Sequence, residues 1–529
     1  MTGCAPDPDR AFKNIRPEET REAVERFLAS SRQPVLIEAG EDPLPVTRET
    51  FAITARGNHV VIECWNATRN LVRRVRGIAA ARRGMLELEI ERFGSRTGKL
   101  ALIDLADPSN RGAGKRGARL KYRERFRRSL RRQFPDWRIV ELSVEPDLHH
   151  SLSPSYPRAL LRKGTAGIAA IGADEDALSP EGALSFGLIW LDYLRRREGP
   201  KPAQGRPTGL RIEGLAIFVP VGAEATTCHR IRHLNPEAAR YWTFVHGASG
   251  DEDLIDPGDY TNFDTHLPPY RSPLAESRPE LIAWVDRIAG IDGVQKRENM
   301  DGSVTLAVRG LEFARAVGGE LRFGIDTQHA GKHIAGSERH IVEIEQLALG
   351  LAAMRHSDAG DRMNPLYLRH PEAWLESQVR GSIEELDATL FSTPLYGQVP
   401  NFAAGERGVI DVLAVNRDGV LVVIELKASQ DIHLPLQALD YWMRVKWHLD
   451  RGEFEGRGYF PGIGLRRDAP KLLLVAPALD FHPSNETILR FFAKEVQVER
   501  IGVGIEWKRD LRVMFRVPSS PCPYPYFAR

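Results

Sequence analysis

Three charged residues stand where strand-forming sequence should be apolar. In residues 407–427, RGVIDVLAVNRDGVLVVIELK, Asp411 interrupts one run of Val, Ile, Leu and Ala, and Glu425 and Lys427 interrupt a second. Burying such charges is costly unless they serve one another or a cation. The turn between the runs decides whether they meet. A two-residue loop pairs Asn416 with Gly419 and sends the charges to opposite faces. A three-residue loop, a type I turn closed by Gly419 as a bulge, pairs Asn416 with Val420 and sets Asp411 opposite Glu425. In that register Asp411, Glu425 and Lys427 share one face. Two adjacent carboxylates repel unless a divalent ion sits between them, and Mg2+ or Mn2+ prefers oxygen ligands with positions left for water and phosphate. A lysine beside such an ion can orient or help deprotonate an attacking water, which is the chemistry of phosphodiester hydrolysis.

Gln437 and Tyr441 follow at helical spacing in LPLQALDYW and share one face of that helix. With them, the pattern resembles the PD-(D/E)xK (restriction-endonuclease-like) nuclease superfamily, most of all the branch that includes NucS-like DNA endonucleases. The likeness continues through KLLLVAPAL, a helix around NETILRFFAKEV, and the strands VGIEW and LRVMFRV, covering about residues 360–520. It implies a mixed sheet flanked by helices, with Asp411, Glu425 and Leu426 as ligands of Mg2+ or Mn2+ and Lys427 beside the attacking water. Gln437 and Tyr441 stand as further site residues, though both could serve only to hold the helix on the sheet. It also implies a DNA endonuclease of repair or antiphage defence, with DNA favoured over RNA. The alternative is a catalytically silent nucleic-acid-binding or assembly protein on the same scaffold; a homodimer is allowed by either.

A further acid should come from the helix in HPEAWLESQVRGSIEEL. Glu372 lies in the first turn, where the helix dipole already accounts for a carboxylate. Glu376 borders the apolar stripe of Leu375, Val379, Ile383 and Leu386, so it is the expected third carboxylate.

These residues need a scaffold, and 529 residues suffice for several domains, each with its own core. We expect an α/β and β-rich multidomain chain: a β-rich domain at 1–107, an α/β domain at 108–205, a β-rich domain at 206–335, a connecting helix at 336–359 and the nuclease-like domain at 360–529. The strand-then-helix order of GIAAIGADED and LSFGLIWLDYLRRRE echoes VLVVIELKAS and LPLQALDYW, including a shared Leu-Asp-Tyr, but no E-x-K survives in it. A nuclease-like unit without its acids is one reading, and an unrelated α/β unit is the default.

With 42% hydrophobic and 27% charged residues the chain is neither disordered throughout nor a heptad rod, and a net charge of +2 leaves any attraction for nucleic acid to local patches. One such patch is plain: residues 111–132 hold eleven Lys or Arg against one acid. Lys115, Arg116, Arg119, Lys121, Arg125, Arg128 and Arg132 are the expected phosphate contacts, with Tyr122 and Phe126 interleaved for stacking. Cys228, His229 and His233 lack a fourth ligand at finger-like spacing. Four scattered cysteines, no signal-like start and no long uncharged apolar run point to a cytoplasmic chain with no membrane partner.

Overall fold

The computed structural model describes residues 17–519, except 39–43, 48, 57–58, 66–69, 93–95, 105, 108–110, 148, 176–178, 200–208, 247–251, 264, 271–273, 275–276, 300, 326–332 and 404–405. The chain is mixed α/β and multidomain, with four sheets among the described residues.

The first unit is an antiparallel sheet under one amphipathic helix, α1 (Pro17–Ser30), which buries Val24. Its strands are β1 (Pro34–Glu38), β2 (Leu44–Pro45), β3 (Phe51–Arg56), β4 (His59–Trp65), β5 (Asn70–Arg82), β6 (Met85–Arg92) and β7 (Arg96–Asp104), in the order β2-β1-β7-β6-β5-β4-β3. Three arginines of β5 are charge-matched: Arg73 pairs with buried Glu38, and Arg74 and Arg76 with Glu91.

The second unit begins with the basic segment, which forms α2 (Arg111–Gln133). There follow β8 (Arg138–Ser143), β9 (Arg158–Lys163), β10 (Ala166–Gly172), α3 (Gly182–Glu198), β11 (Arg211–Pro220), α4 (Glu224–Ile231), β12 (Arg240–His246) and β13 (Glu252–Ile255). They make one six-stranded sheet in which β10, β11 and β12 are parallel neighbours. The division expected at 206 therefore falls inside a sheet and moves beyond β13. The Pro/Gly-rich segment there suggested a boundary, yet a parallel pair needs a crossover between its strands.

The third unit is smaller: α5 (Pro279–Ala289), then β14 (Val294–Glu298), β15 (Val304–Val308), β16 (Leu311–Val317), β17 (Glu320–Phe323) and β18 (His333–Ala335) as an antiparallel meander, then α6 (Glu338–Met354). Ile341, Ile344, Ala348 and Leu351 of α6 share a core with Val304, Leu306 and Phe313. The helix expected as a connector is thus part of this unit.

The last unit holds α7 (Pro365–Leu368), α8 (Pro371–Gly381), α9 (Ile383–Leu386), β19 (Tyr396–Ala403), β20 (Glu406–Val415), β21 (Leu421–Leu426), α10 (Leu434–Asp450), α11 (Glu453–Gly456), β22 (Lys471–Pro477), α12 (Ser484–Leu489), β23 (Val498–Val503) and β24 (Val513–Pro518). Its sheet order is β19-β20-β21-β22-β23-β24. The two central strands, β21 and β22, are largely apolar runs because both faces are covered. On one face Trp374, Leu375 and Val379 of α8 pack on Val412, Val422 and Ile424. On the other, α10 packs on Leu413, Val415, Leu421 and Val423.

The second and last units have the same topology. Each runs as three antiparallel strands, a crossover helix, a parallel strand, a second crossover helix, another parallel strand and an antiparallel edge. The helix before each sheet covers its outer face, α2 through Phe126 and Leu130 as α8 does through Leu375 and Val379. The inner faces share one core, where α3 meets α12 and α10 meets α4. Between them Asn235 N–H donates to Phe491 O (2.7 Å) and Ala493 N–H to His233 O (2.9 Å), flanking an antiparallel bridge of Leu234 and Phe492. These residues hold equivalent places after α4 and α12, so a local two-fold axis passes between them. Arg230 locks the joint with a bidentate pair to Asp440 at 2.9 and 2.7 Å.

Candidate active site

The hairpin of β20 and β21 takes the three-residue turn. Asn416 N–H donates to Val420 O, Gly419 N–H to Asn416 O, and Gly419 carries φ +82°, a conformation that favours glycine. The register pairs Val412 with Ile424 and Leu413 with Val423. Val412 and Ile424 are the last paired residues before the carboxylates. Beyond them the Leu426 N–H, which a continued ladder would have satisfied from the β20 backbone, donates instead to Asp411 Oδ2 at 2.8 Å. The strands part there, and the Asp411 carboxyl bridges the opening.

Glu425 is 2% exposed, and Lys427 Nζ lies 3.5 Å from its Oε1 and 4.0 Å from Asp431 Oδ2. Burial pushes the Asp411 carboxyl up to about 6, against the Leu426 N–H and with help from the charge of Glu376. Burial, then the charge of Asp411, drives Glu425 well above the usual carboxylate range. Lys427 is held above its ordinary value: burial opposes its charge, but Glu425, Asp411, Asp431 and Glu372 outweigh it. The structure thus brings Asp411, Glu425 and Lys427 together, with Glu376 close enough to act on Asp411 and Glu372 on Lys427.

Glu376 is 5% exposed, and its Oε1 faces Arg297 Nη1 at 3.4 Å and Arg380 Nη1 at 3.8 Å. Burial raises its carboxyl, and the two guanidinium groups pull the other way. Gly397 of β19 lies against this trio, since a Cβ there would fall 2.2 Å from Arg380 Nη1 and 2.9 Å from Glu376 Oε1. Sequence reasoning missed both arginines. Arg380 sits four residues after Glu376 on one helix and could have been noticed, but Arg297 arrives from β14 and left no local signal. Asp431 was likewise missed.

Gln437 and Tyr441 lie on α10. Gln437 Oε1 is buried without a hydrogen-bond partner, and Tyr441 packs against the core shared by the two sheets.

A resident cation can be tested on the donor set. Asp411, Glu425 and the Leu426 carbonyl are hard oxygen donors, and Glu425 Oε2 is a buried oxygen with no hydrogen-bond partner. That oxygen fits a cation. Among the described residues no group of three His, Cys, Asp or Glu forms a metal-holding cluster, in keeping with the engagement of Glu376 by arginines. Cys228 is buried, and His233 pairs with Glu495, so neither stands open as a ligand.

The basic helix differs from its expected role. Tyr122 and Phe126 are buried, 4% and 1% exposed, and the Tyr122 hydroxyl donates to Ala173 O at 2.6 Å, so neither ring is available for stacking on a base. Arg125 pairs with Asp174 and Arg132 with Glu252, charges of its own sheet. Arg119 and Lys121 are partly buried, and Arg128 is exposed. The side chains of Lys115 and Arg116 lie outside the described residues. Among the described residues no helix is long and apolar enough to cross a membrane.

No family model and no curated protein matches this chain.

Proposed function

We propose that the last unit is a restriction-endonuclease-like domain that hydrolyses phosphodiester bonds of nucleic acid, DNA above RNA, with Mg2+ or Mn2+. One observation carries the reading: two buried carboxyl groups held face to face at the parting of a hairpin, with a lysine 3.5 Å from one of them. Two like charges in a dry site destabilise each other, and a hydrolytic centre for a polyanion is a use that repays that cost. Asp411, Glu425 and the Leu426 carbonyl would hold the ion. Bound there, it would neutralise the pair and act as a Lewis acid toward the phosphate.

The chain's own residues divide the remaining work. The Leu426 N–H fixes Asp411 Oδ2, so that carboxylate needs no reorientation. Lys427 Nζ, tethered by Glu425 and Asp431, places a positive charge where phosphate charge builds during in-line attack and can hold the attacking water. Burial excludes competing solvent and strengthens each of these interactions.

The test is incubation of the purified full-length chain with single-stranded DNA, duplex, flap and RNA, with and without Mg2+ or Mn2+. Cleavage that EDTA stops and that Asp411→Ala, Glu425→Ala and Lys427→Ala each remove is the expected result. Binding without cleavage on every substrate would instead support the catalytically silent alternative.

A further inference from the structure

A cavity of about 520 Å³ opens between β14 of the third unit and α8 of the last. Its walls include Arg297, Lys296, Arg380, Ser377 and the nearly buried Glu376. The β15–β16 turn fixes the two walls. Gly310 there has φ +76°, and a Cβ on it would fall 2.0 Å from Ala373 O, so backbone meets backbone at the helix. Arg355 adds a second clamp, reaching the carbonyls of Arg309, Leu366 and Arg369.

Both wall arginines are under-used. Arg297 Nε and Arg380 Nη1 are buried with no hydrogen-bond partner; Arg297 Nη1 makes one long hydrogen bond of 3.4 Å to Glu376 Oε1, and Arg380, whose Nη2 donates to Leu395 O, reaches the same oxygen only at 3.8 Å. A buried unpaired donor is costly, and two forks converging on one cavity match the geometry of a tetrahedral oxyanion. Lys296 adds positive charge at the rim, although its ammonium also holds Asp286 at 2.8 Å. One carboxylate oxygen shared at 3.4 and 3.8 Å is a poor partner for two guanidinium groups, and a phosphoryl group offers three.

We propose that this cavity binds a phosphoryl group on Arg297 and Arg380, and that its arrival frees Glu376 for the Asp411–Glu425 centre. The second half rests on the nuclease reading; the first does not. Arg297 and Arg380 now share the carboxylate of a helix, α8, that packs directly on Val412 and Ile424, the neighbours of Asp411 and Glu425. An anion seated between the arginines takes their charge, and Glu376 becomes available as the third carboxylate toward the cation. The phosphoryl group could come from a nucleic-acid strand or from a free phosphate monoester. The chemistry recognised is the same.

Calorimetric titration of the metal-free full-length chain tests this with inorganic phosphate, 5′-AMP, and one oligonucleotide with and without a 5′-phosphate. Phosphate should bind, and Arg297→Gln or Arg380→Gln should weaken it at least about tenfold, the loss of one charge-assisted pair. Should either fail to fold, Arg→Lys at that position keeps the charge, loses the fork, and should also weaken binding. Asp411→Asn should bind phosphate as wild type does, so failure of the nuclease reading leaves this arm intact. Preference for the 5′-phosphorylated strand over 5′-AMP assigns the pocket to the strand, and the reverse assigns it to a free nucleotide. Mn2+ titrated with phosphate present should bind more tightly than without it, and Glu376→Gln should abolish the difference. Absent phosphate binding, or binding indifferent to both arginines, overturns the pocket. Mn2+ affinity indifferent to phosphate overturns the coupling.

Discussion

The second and last units share strand order, helix placement and a local two-fold axis, yet their equivalent centres carry opposite charge. The N–H of Lys427 donates to Val475 O beside the pair Leu426 and Val475, as the N–H of Ala173 donates to Phe218 O beside Gly172 and Phe218. Lys427 therefore corresponds to Ala173 and Glu425 to Ile171. Asp411, opposite Glu425, corresponds to Arg158, which pairs with Ile171. Where one unit buries two carboxyls, the other buries a guanidinium that is 5% exposed, with Nε and Nη1 unpartnered and Trp190 5.5 Å away. A fixed cation in place of a carboxylate leaves nothing to attract a divalent ion. Topology places these side chains at the same point of the two sheets, and the residue types decide the sign of the charge there.

The largest difference should appear in catalysis. Asp411→Asn or Glu425→Gln should lower cleavage at least about a hundredfold, the scale of losing one preorganised electrostatic group, while Arg158→Met should leave it unchanged. Arg158 has no ion pair among the described residues, so an apolar residue of similar volume should also leave stability equal or improved. Loss of cleavage in Arg158→Met would break the comparison by giving the second unit a part in the reaction.

Packing on the outer face should differ next. Leu426 and Gly172 hold equivalent positions. Leu426 is buried under α8, whereas a Cβ on Gly172 would fall 2.7 Å from the Tyr122 hydroxyl and 3.0 Å from Phe126. Leu426→Ala should cost about 2–5 kcal/mol by leaving a cavity. Gly172→Ala should cost about 1–3 kcal/mol by overpacking. Denaturant unfolding measures both, and a neutral Gly172→Ala would show that α2 yields where α8 does not.

The pH dependence of metal-free stability should have opposite signs at the two ends. The folded Asp411 carboxyl is raised to about 6, so its contribution is fully present below the unfolded value near 4 and is lost as pH rises through about 6. With a chelator present, Asp411→Asn should exceed wild type above pH 6 by on the order of 2 kcal/mol and match it near pH 4. In the second unit, burial lowers His246, against the Ala173 carbonyl that accepts from it. Its contribution is present above the unfolded value of about 6.5 and is lost as pH falls below it. His246→Gln should therefore alter the pH profile only below about 6.5. A Tm series from about pH 4 to 8 distinguishes the two, and equal slopes would refute the assignment of charge to each end.

The smallest effect belongs to α2. Arg128→Glu with Arg131→Glu should lower the log–log salt slope of duplex binding by about 0.9 for each phosphate that is no longer neutralised, since both side chains are exposed. Arg125→Gln and Arg132→Gln should chiefly destabilise the fold, because Asp174 and Glu252 lose their guanidinium partners. An unchanged slope in the first pair would remove α2 from the interface.

Much of the last unit was legible in the sequence because its signals are local. The Asn416–Gly419 turn sets a register of two-residue periodicity, and that alone brings Asp411 opposite Glu425 two residues before Lys427. The apolar stripe of α8 likewise set Glu376 at the border of the core. The basic segment misled for a physical reason: charge density counts residues, whereas availability depends on what faces them. Tyr122 and Phe126 lie on the buried side of α2, and Asp174 and Glu252 wait on the sheet below. The boundary at 206 failed because a flexible composition marks a crossover as well as a linker. Only the tertiary structure decided what surrounds Glu376, since Arg297 is 79 residues away and pairs across units, and only it showed that the two sheets share one core. Local spacing specifies which side chains can meet within a hairpin or helix. Which charges are neutralised depends on the packing of distant segments, and no local pattern encodes that.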